Sequence, residues 1–307
     1  DIPGKRAFPA MPGIRIETIG TIPGNNNSAR NSMQSARRAA ENCLSKSTYT
    51  SGDIGLLLYC GVYRTHYLLE PAYAALLAGE LDINAATPTP NHHKTLAFDV
   101  FNGAVGFLNA CYVAQQMLAI GTCKTAMIVA AESENNADWY PDALLGIRET
   151  ASAMILDAHS SADKGFSRFH FKYDTTLLQS YQTHCSTREI KPCLHIEKDA
   201  ALEALYIECI LPAVGEILEM EGLDIHQIDR IFPPQISSDF IARLVEAWAL
   251  PPERFVNVAG QGPDLFSSSI PYALEYAFEQ GLVQPGHTGL IIAAGSGIQV
   301  ACAIYHF

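Results

Sequence analysis

Three apolar segments in the second half of this 307-residue chain repeat three in the first half, in the same order. Ile228–Pro233 matches Ile54–Tyr59. His287–Gly295 parallels Lys124–Glu132, both reading x-Thr-small-Met/Leu-Ile-Val/Ile-Ala-Ala. Gln299–Ile304 parallels Ala151–Leu156. Short, unbroken apolar runs of this kind read as strands buried on both faces. Their matched order, with helical stretches between them, predicts a duplicated α/β unit.

The intervening pattern fits. Helices are expected over 30–45, 71–80, 105–120, 199–221, 237–249 and 268–281. Further strands are expected at 96–101, 149–157 and 255–258. Residues 1–30, rich in Pro, Gly and Asn, give no core element. The halves are expected to divide into 1–165 and 166–307.

Composition narrows the function. Hydrophobic residues make up 48% and charged residues 17%, the balance of a globular chain. There are 20 Lys+Arg against 32 Asp+Glu, a net charge of −12. That sign argues against nucleic acid and anionic membranes as partners. No apolar run approaches the roughly 18–20 residues of a spanning helix, and Asp1–Arg6 has no apolar signal core. The eight cysteines do not cluster as a disulfide framework, so reduced core thiols in a cytoplasmic protein are expected. His184-Cys185 and Cys193-Leu194-His195 gather soft ligands, but their gap matches no common zinc spacing. Neither a metal nor a cofactor is expected.

Several motifs together resemble the thiolase superfamily, and within it β-ketoacyl-acyl-carrier-protein synthase III (KAS III). They are Pro12–Arg15, Phe98–Phe107 before an apolar helix, Pro233–Gln235, Ser269–Leu274 and Gly295–Ile298. The likeness runs from about residue 12 to residue 307. It implies a thiolase-like α/β fold, five layers α-β-α-β-α built from two repeated halves. Helices beginning near residues 104 and 266 would lie back to back between the sheets. It also implies that the first half lacks its opening strand, and that the chain dimerises through the strand at 96–101.

The resemblance carries a chemical expectation. In the family a cysteine at a helix N-terminus attacks a thioester, its pKa lowered by the helix dipole. A histidine and an asparagine then stabilise the enolate or oxyanion. Those positions fall on Ala104, Pro234 and Asp264. A methyl group cannot attack a thioester, proline offers no side-chain hydrogen bond, and a carboxylate repels an oxyanion. The places that sandwich the adenine of coenzyme A fall near Ala7 and Met11. The family's basic residue after the histidine is Asp239, its asparagine is Ser237, and its small-residue loop becomes Ile147–Ser152. These changes disfavour coenzyme A.

The chain is therefore expected to be a catalytically degenerate KAS III-like subunit. It would be the non-condensing partner of an active ketosynthase in fatty-acid or polyketide-type biosynthesis. Its partner would be a catalytically complete KAS III-like homologue or a second copy of itself, with an acyl-carrier protein as a further candidate. The alternative is an acyltransferase or hydrolase with a relocated nucleophile: Ser267, Ser268 or Cys60, with His66 as base. A scaffold with no tunnel role is a third reading.

Overall fold

The computed structural model describes residues 13–23, 31–83, 94–159, 163–186 and 191–307. In the first half, strand β1 (Gly13–Ile22) leads to helix α1 (Ser32–Lys46), β2 (Leu56–Tyr59) and α2 (Tyr73–Glu80). Then come β3 (Leu96–Asp99), α3 (Gly106–Ala119), β4 (Thr125–Ala131) and β5 (Ala151–His159). The second half begins with β6 (Gly165–Tyr173) and a hairpin of β7 (Tyr181–Ser186) and β8 (Cys193–Lys198). It continues with α4 (Leu202–Glu221), β9 (Arg230–Phe232), α5 (Ser238–Trp248), α6 (Ser269–Glu279), β10 (Thr288–Gly295) and β11 (Gln299–His306).

The two sheets show the duplication. The first has the order β1-β5-β4-β2-β3 and the second β6-β11-β10-β9. In each, an antiparallel edge strand pairs with the last strand of its half: β1 with β5, and β6 with β11. Parallel pairs follow, β2 with β4 and β9 with β10. The expected strand at 255–258 reduces to a single parallel bridge, Ile231 to Phe255, in the place β3 holds in the first sheet.

β1 corrects one expectation. It occupies the edge that β6 holds in the second half, and Gly13–Arg15 lie inside it. Residues 1–30 therefore do contribute a core element: Ile14, Ile16 and Ile19 are buried. Ala7 and Met11, the positions compared with an adenine site, lie outside the described residues.

Five layers result. The helices α1 and α2 cover the outer face of the first sheet with Ala36, Ala39, Ala40, Ala74 and Leu77. The helices α4 and α5 cover the second with Ile210, Val214, Ile217, Phe240 and Leu244. Between the sheets, α3 and α6 share one core with strands from both. Ala110, Ala114, Ser268 and Ala273 are wholly buried there, and their small size lets helices and sheets approach closely.

Local chemistry sets the element ends. The Asn31 side chain accepts the N–H groups of Met33 and Gln34 and so caps α1. Ser237 does the same for α5 through the N–H of Phe240. Gly165 has φ +94, and a Cβ there would lie 2.0 Å from the Ile14 carbonyl oxygen. Only glycine fits where the two edge strands cross.

Candidate functional site

The α3 and α6 starts converge on one cavity of about 610 Å³. Ala104 lines it from the turn leading into α3, and Asp264 and Phe266 from the turn leading into α6. Ile147, Ile236, Tyr206 and Ala294 supply further apolar wall. Lys198 of β8, with Glu203 and Arg243, forms a charged rim. Glu203 and Arg243 pair across 3.4 Å.

The structure thus brings together two of the three positions singled out by resemblance. Pro234 is buried in the turn after β9, and its neighbour Ile236 reaches the cavity wall. Between them, Gln235 is wholly buried. Its side-chain amide donates to the carbonyls of Pro233 and Val256 and accepts the Val258 N–H. That network fixes the turn and leaves the amide no free hydrogen-bonding group.

Asp264 is held by backbone. Its carbonyl accepts the Arg148 N–H at 2.7 Å, extending the bridge between Ile147 and Asp264. Its Oδ1 accepts the Phe266 N–H at 2.8 Å. Desolvation pushes its carboxyl up to about 6, opposed by that N–H and by the charges of Lys198 and Arg148. The residue is partly exposed, towards the cavity it lines.

Phe266 adopts φ 48, the left-handed region, which few non-glycine residues enter. Its ring lies 5.3 Å from that of Tyr63. With Leu145, Ile147, Tyr181 and Leu194 they form a buried cluster, against which Ala104 packs. The Tyr63 hydroxyl is bonded to Tyr181 at 2.9 Å and Thr183 at 3.0 Å.

Beneath the cluster lies a group the sequence reading missed. Glu132, 2% exposed, follows β4 directly. Its carboxylate accepts the N–H groups of Val62 and Tyr63, the latter at 2.6 Å, and the Ser267 hydroxyl at 2.5 Å. Burial raises it to about 7, and these donors and the Arg64 charge oppose the rise. A carboxylate ending an unbroken apolar strand was the available signal.

The relocated-nucleophile candidates do not assemble into a reactive pair. Cys60 is wholly buried, its thiol directed at the Val129 carbonyl. Burial raises that thiol well above its ordinary pKa, the opposite of activation. His66 is exposed, in a turn with φ 59, and no hydrogen bond joins it to Cys60. Ser267 is 1% exposed and its hydroxyl is engaged by Glu132; Ser268 is wholly buried against Ser152.

The remaining sequence candidates also have places. Asp239 is exposed in the first turn of α5. His184 and His195 face each other across the β7–β8 hairpin, rings stacked at 5.4 Å. Cys185 alternates to the opposite face from His184. Among the described residues, no group of three or more His, Cys, Asp or Glu gathers around a metal-sized space. No described helix is long and apolar enough to cross a membrane.

Known proteins share this design. Residues 218–307 match the family described as 3-oxoacyl-[acyl-carrier-protein] synthase III, C terminal. The β-ketoacyl-[acyl-carrier-protein] synthase III of Aliarcobacter butzleri is 25% identical over 286 residues, covering 88% of this chain and 81% of that protein. The Coxiella burnetii enzyme of the same name is 26% identical over 280 residues, 91% and 84% of the two chains. A crystal structure of a Xanthomonas campestris OleA variant superposes with a TM-score of 0.82 at 17% identity, covering 97% of this chain and 99% of that one. The 3-oxoacyl-(acyl carrier protein) synthase III of Xanthomonas oryzae gives 0.80 at 17% identity, over 97% and 99%. With its duplicated sheets, buried central helices and a cavity where those helices begin, this chain has the fold of those thiolase-like structures, and its sequence is similar to the KAS III enzymes.

Proposed function

We propose that this chain is the non-condensing subunit of a ketosynthase pair, working beside a catalytically complete KAS III-like homologue. One observation carries the reading. The cavity at the start of α3 is retained, yet among the described residues neither a cysteine nor a histidine lines it. Ala104 stands where a nucleophile would need to be, and Asp264 adds negative charge where an enolate or oxyanion would form. Condensation needs donors aimed at that charge. The setting is acyl-chain assembly of the fatty-acid or polyketide type, in the cytoplasm, with an acyl-carrier protein delivering the chains.

The surface supports pairing. β3 is the open edge of the first sheet. Leu96 there is 49% exposed, and Phe101 just beyond is 58% exposed. Phe101 is held in place by the buried Arg64 guanidinium, 5.2 Å from its ring and paired with Asp99 at 2.8 Å. An apolar open edge left in water invites further strand pairing. The loop His66–Pro71, with Leu69 75% exposed, would wall the partner's tunnel.

Co-expression with the homologue, size-exclusion chromatography and a condensation assay test this. The pair should co-elute, bury well over about 2,000 Å² as obligate interfaces do, and condense better than the homologue alone. A homologue that is fully active alone and never co-elutes with this chain refutes the proposal.

A further inference from the structure

Asp264 gives the Ala104 cavity a chemical preference that pairing does not explain. Its Oδ1 is bonded to the Phe266 N–H, and no described side chain donates to Oδ2. The nearby cations Lys198 and Arg148 act on Asp264 through their charge but donate no hydrogen bond to it. The Lys198 ammonium lies over the Tyr181 ring, 5.2 Å from its centroid. The Arg148 guanidinium donates to the Ala259 carbonyl, and Arg243 pairs with Glu203. An acceptor without a donor therefore faces a cavity whose inner wall is Ala104, Ile147, Ile236, Phe266 and Ala294.

Such a site selects by charge. An anionic group brought against Asp264 meets a like charge in a poorly solvated place, which is unfavourable. A cationic donor satisfies the free oxygen with a charge-assisted hydrogen bond. The net charge of −12 also favours approach of a cation. The wall limits size as well: behind Phe266 and Ile147, the buried Tyr63, Leu145 and Leu194 fill the space.

We infer that this cavity binds a compact organic amine. Its ammonium would meet the free carboxylate oxygen of Asp264, and its apolar body would lie against Ile147, Ile236, Phe266 and Ala294. The inference concerns this chain's own cavity and stands apart from the subunit reading.

The test titrates the full chain with three probes of one shape: 2-phenylethylamine, 2-phenylethanol and 3-phenylpropionate. Calorimetry or ligand-observed NMR reads the binding. The amine should bind at least tenfold more tightly than the carboxylate, with the alcohol between them. Asp264→Asn should remove most of the amine's advantage while the far-ultraviolet spectrum stays unchanged. Lys198→Gln, which takes away a competing cation, should tighten the amine severalfold and serves if the Asn variant does not fold. Equal or tighter binding of the carboxylate, amine binding undiminished in Asp264→Asn, or no binding of the amine overturns the inference. None of these outcomes bears on co-elution with a homologue, so the two proposals fail separately.

Discussion

Glu132→Gln probes the carboxylate that ties the turn before α6 to the turn at Val62 and Tyr63. Burial lifts this carboxyl from an ordinary value near 4.5 to about 7. Between those pH values the folded chain holds a proton that the unfolded chain has released. Stability therefore falls as pH rises through this window, and the full penalty is present above about pH 7. A shift of this size corresponds to about 3 kcal/mol. Glutamine keeps an oxygen for the Val62 and Tyr63 N–H groups, and its amide can donate to Ser267, which then accepts. The variant removes the charge and keeps the contacts. Urea unfolding at pH 5, 6, 7 and 8 is the assay. Relative to the parent, the variant should gain about 2.5 kcal/mol across that range, most of it between pH 5 and 7. Asp264 acts with the same sign but only up to about pH 6, and it is common to both proteins. Identical pH dependence of the two proteins, or a parent that gains on the variant as pH rises, would refute the reasoning.

Other consequences can be checked with single variants. Ala104→Cys should restore a thiol but not condensation, because each missing oxyanion donor is worth roughly 2.7–4 kcal/mol; a malonyl-condensation assay reads this. Gly165→Ala should lower stability by about 3 kcal/mol or more in denaturant unfolding, because it adds left-handed strain to a clash with the Ile14 carbonyl. Leu96→Lys with Phe101→Asp should abolish association with a partner while leaving the melting temperature of the isolated chain within a few degrees, since both side chains are largely exposed.

The buried strands were legible because a fully covered strand shows as an unbroken apolar run, as in Leu56–Tyr59 and Thr125–Ala131. The antiparallel edge strands and the β7–β8 hairpin were not. β1 alternates, with Ile14 and Ile16 inward and Arg15 and Glu17 more exposed, and it sits among Pro and Gly. β6 and the β7–β8 hairpin carry polar and aromatic residues on a half-open face, which breaks the apolar signal. At the site, Ala104 and Asp264 could be placed because the KAS III-like motifs Phe98–Phe107 and Ser269–Leu274 lie beside them in the sequence. The contact of Glu132 with Ser267 joins residues 135 positions apart, and only the fold brings them together. The left-handed turn at Phe266 was invisible for a different reason: a phenylalanine carries no signal for positive φ.

The central claim, that this chain has no condensing chemistry of its own, is tested most directly by intact-mass measurement after incubation with acyl thioester donors. With Ala104 in the cavity wall, Cys60 buried and Ser267 bound to Glu132, the mass should remain that of the unmodified chain. A stoichiometric acyl adduct on any residue would contradict the account and shift the assignment to an acyltransferase or hydrolase with a nucleophile of its own.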